Sequence, residues 1–165
     1  MGSHGPIDMG DMPLSRGQRR HLVSVYATIC HLLRQMEDAA TEGRSPSGIG
    51  APLTAIAADD TAAILQPLID LRERVRRLAV QCAPEELAGY ETPQSPTATM
   101  VWLSNLHNRV RAAVDDLQPG RVRKYGPISA EQAEMVGQLH AELLQMVLAA
   151  RPALDAVSGA AACGR

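Results

Sequence analysis

The chain contains very few aromatic residues: none of its 165 residues is phenylalanine, one is tryptophan and three are tyrosine. A folded core must therefore be built from Leu, Val, Ile, Met and Ala. These side chains suit packing between helices better than a β-sandwich, which depends on aromatic and β-branched residues. The scarcity also argues against nucleic-acid binding that stacks bases on aromatic side chains. The composition therefore favours an all-α protein.

Cysteine, lysine and long apolar runs are scarce as well. Cys30, Cys82 and Cys163 include no close pair, so neither a disulfide framework nor a cysteine-rich zinc site is expected. Lys124 is the only lysine, and the formal net charge of −2 disfavours a nucleic-acid binder with a broad basic surface. No apolar run approaches the roughly 20 residues that a membrane span needs. We therefore expect a cytoplasmic protein that does not bind membranes.

The chain does contain four stretches with apolar residues at helical spacing, separated by residues typical of loops. This pattern predicts helix 1 at 15–42, helix 2 at 60–82, helix 3 at 95–118 and helix 4 from 129 onwards. The residues predicted to face the core are Leu22, Val25, Ile29, Leu32, Leu33 and Met36; Ile64, Leu65, Leu68, Leu71, Val75 and Leu78; Met100, Leu103, Leu106, Val110, Val114 and Leu117; and Val136, Leu139, Leu143, Leu144, Val147, Ala150 and Leu154.

Local signals mark where these helices begin and bend. Ser15 with Gln18, and Ser129 with Gln132, have the spacing of a capping box, in which each side chain satisfies an amide of the first turn. Ser95-Pro96 has the order of a cap followed by a proline at the first helical position. Proline inside a helix removes a hydrogen bond and clashes with the preceding turn. We therefore expect a kink or a later start at Pro67, and a kink or an end at Pro152.

Four such helices on a chain of this length predict one domain, an all-α four-helix bundle over residues 15–157 in up-down-up-down order. Residues 1–14, whose first residues resemble the remnant of an expression tag, are predicted to be disordered, and residues 158–165 to fray. Residues 43–59 are predicted to form a mobile loop. Fully extended, this loop reaches roughly 55 Å, and helix 1 is about 40 Å long. A connection that crosses the length of the bundle therefore stays open.

Two histidines lie at the edges of apolar stripes, His107 in helix 3 and His140 in helix 4. His107 lies eleven residues before Gln118, the predicted end of helix 3, and His140 lies eleven residues after Ser129, the predicted start of helix 4. In an antiparallel hairpin these equal separations place both imidazoles at the same height. Histidine is a common metal ligand and a proton carrier near neutral pH. The pair is therefore a candidate site for a metal, a haem or a proton. The alternative is two boundary histidines with local hydrogen bonds, and no cofactor is predicted.

Histidine phosphotransfer domains are four-helix bundles of similar size. The stretch Leu106-His107-Asn108-Arg109-Val110-Arg111 resembles the His-Arg-Val-Lys-Asn stretch of one family of histidine-kinase dimerisation domains, with Asn108 where that family has its histidine. The resemblance implies an exposed histidine that accepts phosphate. His31, predicted opposite the apolar stripe of helix 1, meets that requirement better than His107.

Basic residues form three clusters. Arg16, Arg19 and Arg20 crowd the start of helix 1, where the helix dipole disfavours cations. This mismatch indicates that an adjacent helix end or a partner compensates their charge. The connection between helices 3 and 4 carries a second cluster, Arg121, Arg123 and Lys124. The third, Arg72, Arg74, Arg76 and Arg77 on helix 2, is predicted to be a solvated face with partly paired charges.

The strongest features of the sequence concern structure rather than catalysis, and the function is predicted on that basis. The chain has neither a Gly-rich phosphate loop nor a Gly-x-Ser-x-Gly elbow. Trp102, off the apolar stripe of helix 3, is a candidate anchor for a partner. We therefore expect a non-enzymatic interaction or assembly module that binds a protein partner or itself. A metal- or cofactor-binding bundle, a phosphotransfer domain and a small nucleic-acid-associated subunit using the arginine clusters are the alternatives.

Overall fold

A computed structural model describes residues 12–42, 58–90 and 103–163, and within these ranges every regular element is a helix. The elements are α1 (Arg16–Glu42), α2 (Ala58–Cys82), α3 (Pro84–Ala88), α4 (Leu103–Asp115), α5 (Pro119–Val122), a 3₁₀ helix (Arg123–Tyr125), α6 (Ala130–Leu148) and α7 (Arg151–Cys163). The predicted all-α class is confirmed. No helix in the described ranges is both long and apolar enough to span a bilayer.

Several predictions concern residues outside the described ranges: the disorder of residues 1–11, the loop over 43–57, the cap at Ser95 and the anchor Trp102. Of the predicted disordered segment, residues 12–14 are described, and Met12 packs against the core. The backbone of α7 is helical as far as Cys163.

Both predicted capping boxes are present. The amide of Ser15 donates to Gln18 Oε1 over 2.9 Å, and the amide of Gln18 donates to Ser15 Oγ over 3.1 Å. Ser129 and Gln132 make the same reciprocal pair at the start of α6. These interactions satisfy amides that a helix start otherwise leaves without partners. They fix the starts of α1 and α6 at the predicted residues.

The prolines act differently at the two predicted positions. The α2 helix begins at Ala58 and runs through Pro67, so the later start that Pro67 suggested does not occur. By contrast, α6 ends at Leu148 and a separate helix, α7, begins at Arg151. Pro152 lies in the first turn of α7, where a proline has no amide hydrogen bond to lose.

The four long helices enclose one apolar core. The α1 helix packs on α2 and α4, and α6 packs on the same two helices, so α1 lies diagonally opposite α6. The described residues that were predicted to face inward are buried, apart from Leu103 and Leu144, which are half-buried. Ile29, Leu33 and Leu143 are fully shielded from solvent. The α7 helix covers part of α2.

The directions of the helices differ from the predicted up-down-up-down order. The end of α2 lies beside the start of α1, where Arg19 Nε donates to Glu86 Oε1 over 2.8 Å. The end of α4 lies there too, because His21 Nε2 donates to the carbonyl of Asp116 over 2.7 Å. Both helices therefore run antiparallel to α1, and the order along the chain is up-down-down-up. The end of α2 and the start of α4 therefore lie at opposite ends of the described helices.

Candidate functional site

The structure does not bring His107 and His140 together. His140 Nε2 donates to Asp115 Oδ1 over 2.9 Å, whereas His107 Nε2 donates to the carbonyl of Val147 over 2.8 Å. The two imidazoles therefore lie at different heights, since Asp115 is two turns or about 12 Å beyond His107 along α4. The predicted register is wrong because α5 and the 3₁₀ helix occupy the connection between α4 and α6. The described residues contain no group of three or more potential metal ligands.

The predicted phosphate acceptors are also poorly placed for that role. His107 is only 1% exposed, and its Nδ1 has no hydrogen-bond partner among the described residues. A receiver domain cannot reach this imidazole without opening the core. His31 is half-buried, and its Nε2 lies 3.2 Å from Gln35 Nε2.

Two basic clusters that are separate in the sequence meet at the end of the molecule where α1 begins. The hydroxyl of Ser15 donates to the carbonyl of Tyr125 over 2.9 Å, and Gln18 Nε2 donates to the carbonyl of Gly126 over 2.8 Å. These bonds fix the 3₁₀ helix against the first turn of α1. The exposed cations brought to this end are Arg16, Arg20, Arg121, Arg123 and Lys124. We refer to these five residues as the basic end.

Arg19 belongs to the same sequence cluster but is used inside the fold. Its Nε donates to Glu86 Oε1, and its Nη1 donates to the carbonyl of Leu14 over 3.0 Å. The hydrogen bond from Arg19 lowers the pKa of the Glu86 carboxyl, so the pair stays charged near neutral pH. Through Glu86, the short helix α3 thus supplies part of the negative charge that compensates the arginines at the start of α1. Sequence periodicity could not reveal this helix, because five residues are too few to show a stripe.

A stacked ring pair lies within the basic end. The rings of His21 and Tyr125 stack with their centroids 4.1 Å apart and an interplanar angle of 16°. Tyr125 is 48% exposed, which is unusual for a large side chain in a packed position. The sequence contains no signal for this pair, since the two residues are brought together only by the contact between the 3₁₀ helix and α1.

A second site, not foreseen from the sequence, is a groove between α1 and α2 that α3 and Tyr90 close at one end. Its volume is about 510 Å³, within the range of ligand pockets. We refer to it as the tyrosine groove; Tyr26, Cys30, Arg34, Arg72, Arg76 and Tyr90 line it, together with Glu37, Glu73 and Leu87. The only local signal is the spacing of four between Tyr26, Cys30 and Arg34, which places them on one face of α1.

The phenol and thiol groups that line the tyrosine groove are in their neutral forms. The Tyr26 and Tyr90 rings meet edge to face with centroids 6.1 Å apart, and the Tyr90 hydroxyl is shielded without a hydrogen-bond partner among the described residues. Burial raises the pKa of Tyr26 to about 12, and a hydrogen bond with Cys30 adds to this. Burial also raises the pKa of the Cys30 thiol. Cys30 is therefore held as a thiol rather than a reactive thiolate.

The raised pKa of Tyr26 predicts a loss of stability at high pH. Because the folded state holds this proton more tightly than the unfolded chain, whose tyrosine pKa is about 10, stability falls as pH rises from about 10 to about 12. We expect Tyr26→Phe to reduce this fall by on the order of 1 kcal/mol, measured by urea unfolding across the interval. Tyr125→Phe, at a half-exposed tyrosine, is the control. If the free energy of unfolding fell equally with pH in the two variants, Tyr26 would not be the source of the fall.

Both sites present groups that make noncovalent contacts. The basic end presents cations and a ring stack on the surface, and the tyrosine groove combines guanidinium groups with neutral hydrogen-bond donors. Compared with protein-family models, curated proteins and solved structures, the chain matches none.

Proposed function

We propose that the chain is a non-enzymatic interaction module whose basic end binds an acidic segment of a partner protein. The observation that carries the proposal is the contact between the 3₁₀ helix and the first turn of α1, which joins two basic clusters about 100 positions apart in the sequence. Surface cations attract an oppositely charged partner and raise its rate of association. The exposed ring of Tyr125 adds an amphipathic contact of the kind enriched at interfaces.

A protein segment fits this surface better than a nucleic acid. The groove beside the basic end has a volume of about 490 Å³, and Glu85 and Glu86 line it together with Arg16 and Arg20. A uniform polyanion would place its negative charges beside these carboxylates, which would repel it. Val23 in the same groove offers an apolar contact, which a peptide side chain can use and a phosphate backbone cannot.

The proposal is tested by fluorescence anisotropy with a labelled peptide that combines glutamates with a leucine, so that it can use both the cations of the basic end and the apolar contact at Val23. We expect the double variant Arg16→Glu/Lys124→Glu to weaken binding by at least about tenfold, because each change turns attraction into repulsion. The control is Arg109→Glu/Arg111→Glu, which makes the same change in net charge at exposed positions on α4. Circular dichroism would confirm that both variants keep the helical content of the parent.

Three outcomes would contradict the proposal. The first is no saturable peptide binding at low salt. The second is equal weakening by the two double variants, which would reflect overall charge alone. The third is tighter binding of a duplex oligonucleotide than of the peptide, with the steep salt dependence that phosphate contacts produce. That result would favour a nucleic-acid-associated role instead.

A further inference from the structure

The tyrosine groove has the charge and shape of a site for a small anion. It follows α1 from Tyr26 to Glu37, a length of about 16 Å. Arg34 borders it on the α1 side, and Arg72 and Arg76 border it on the α2 side. Three guanidinium groups therefore face one cavity from two helices.

Glu73, one of the two carboxylates of the groove, is close enough to Arg72 and Arg76 for ion pairs but makes no hydrogen bond to either. Glu73 lies 3.9 Å from Arg72 Nε and 3.9 Å from Arg76 Nη1, beyond hydrogen-bond distance in both cases. Each guanidinium carries five donors in a planar fork, which matches the oxygens of a phosphate or a carboxylate. With two carboxylates and three guanidinium groups in the lining, the groove has a formal excess of one positive charge.

The rest of the lining indicates that the ligand has an organic part. The edge-to-face pair of Tyr26 and Tyr90 and the side chain of Leu87 form an apolar end, next to the arginines. A cavity of about 510 Å³ also has room for far more than one oxyanion. The phenols of Tyr26 and Tyr90 are protonated near neutral pH, and burial raises their pKa further, so they add no negative charge to the site.

We propose that the tyrosine groove binds a small phosphomonoester, with its phosphate on Arg34, Arg72 and Arg76 and its organic part on the tyrosine pair. A phosphomonoester carries between one and two negative charges at neutral pH and three strong acceptor oxygens, which can engage more than one guanidinium group at once. A simple carboxylate has one charge and two oxygens, and so makes fewer of these contacts. The site is separate from the basic end and does not depend on it.

The test is a calorimetric titration of the full chain with phenyl phosphate, inorganic phosphate and benzoate. We expect phenyl phosphate to bind saturably at about millimolar concentration, inorganic phosphate about tenfold more weakly and benzoate more weakly still. Arg72→Gln is expected to weaken phenyl phosphate binding by about tenfold, because it removes charge-assisted hydrogen bonds. Arg77→Gln, an exposed arginine of the same helix that does not line the groove, is the matched control.

The structural integrity of each variant is checked by its thermal unfolding, and Arg34→Gln provides a second variant from the opposite wall. Selective weakening by Arg72→Gln and Arg34→Gln supports the proposal. Absence of saturable binding, or equal weakening by Arg77→Gln, overturns it. If benzoate bound as tightly as phenyl phosphate, the claim that the site prefers a phosphate over a carboxylate would be wrong. If inorganic phosphate bound as tightly as phenyl phosphate, the claim that the tyrosine pair binds an organic part would be wrong.

Discussion

Replacing Glu142 with alanine is expected to lower the free energy of unfolding by about 2–3 kcal/mol, although Glu142 is a partly exposed residue of α6. Its carboxylate accepts two hydrogen bonds from Arg74, from Nε over 2.7 Å and from an Nη atom over 3.1 Å. The Arg74 side chain is only 7% exposed, whereas that of Glu142 is 29% exposed. Removing Glu142 therefore leaves a buried guanidinium without its carboxylate, which is a strongly destabilising change. Arg74 has other interactions, so we expect less than the full cost.

The asymmetry in burial makes this prediction specific. Arg74→Met leaves a carboxylate that can turn toward solvent, so it should cost clearly less than Glu142→Ala. The double variant Arg74→Met/Glu142→Leu removes both charges from the α2–α6 interface. It is expected to be about as stable as the parent, because apolar pairs often replace buried ion pairs without loss.

Urea unfolding of the parent, Arg74→Met, Glu142→Leu and the double variant gives the coupling energy, because these four proteins close a double-mutant cycle, and Glu142→Ala is measured beside them. A loss of 2–3 kcal/mol corresponds to a fall in melting temperature of about 5–10 °C for a chain of this size. The interpretation would be wrong if Arg74→Met cost as much as Glu142→Ala. It would also be wrong if the double variant failed to recover most of the stability.

Local signals in the sequence were sufficient for the long helices and their buried faces. The stripe that includes Ile29 and Leu33 and the capping boxes at Ser15 and Ser129 depend on residues within one or two turns of each other. Such local interactions form within a helix largely independently of the fold that surrounds it. The boundaries of α1 and the start of α6 were therefore predicted closely.

Long-range features were not predictable in the same way. Arg74 falls between Arg72 and Arg76 in what the sequence indicates is a solvated face, yet it is 6% exposed because α6 packs over it. The distance between His107 and His140 depends on how α5 and the 3₁₀ helix turn the chain, and no periodicity reports that. Both candidate sites arise at contacts between elements distant in sequence, so each residue alone gives little signal.

Replacing Gly17 with alanine is expected to lower the free energy of unfolding by about 2 kcal/mol, against the usual trend for a helix. Alanine is ordinarily favoured over glycine within a helix by up to about 1 kcal/mol. At this position a Cβ atom would lie 2.5 Å from the carbonyl oxygen of Tyr125. That oxygen belongs to the backbone and accepts a hydrogen bond from Ser15, so it cannot move without breaking the contact. Overpacking of this kind costs about 1–3 kcal/mol.

Gly137→Ala, in the middle of α6, is the matched control with the opposite expected sign. Among the described residues, its Cβ atom would meet Pro119 Cγ alone, at an ordinary contact distance of 3.7 Å, so the helical preference should raise stability by about 0.5–1 kcal/mol. Urea unfolding of both variants checks the two signs. Gly17→Ala should also weaken binding of the acidic peptide, because it separates Arg123 and Lys124 from Arg16. A stabilising effect of Gly17→Ala would show that the 3₁₀ helix is not fixed on α1, and the basic end would then lose its structural support.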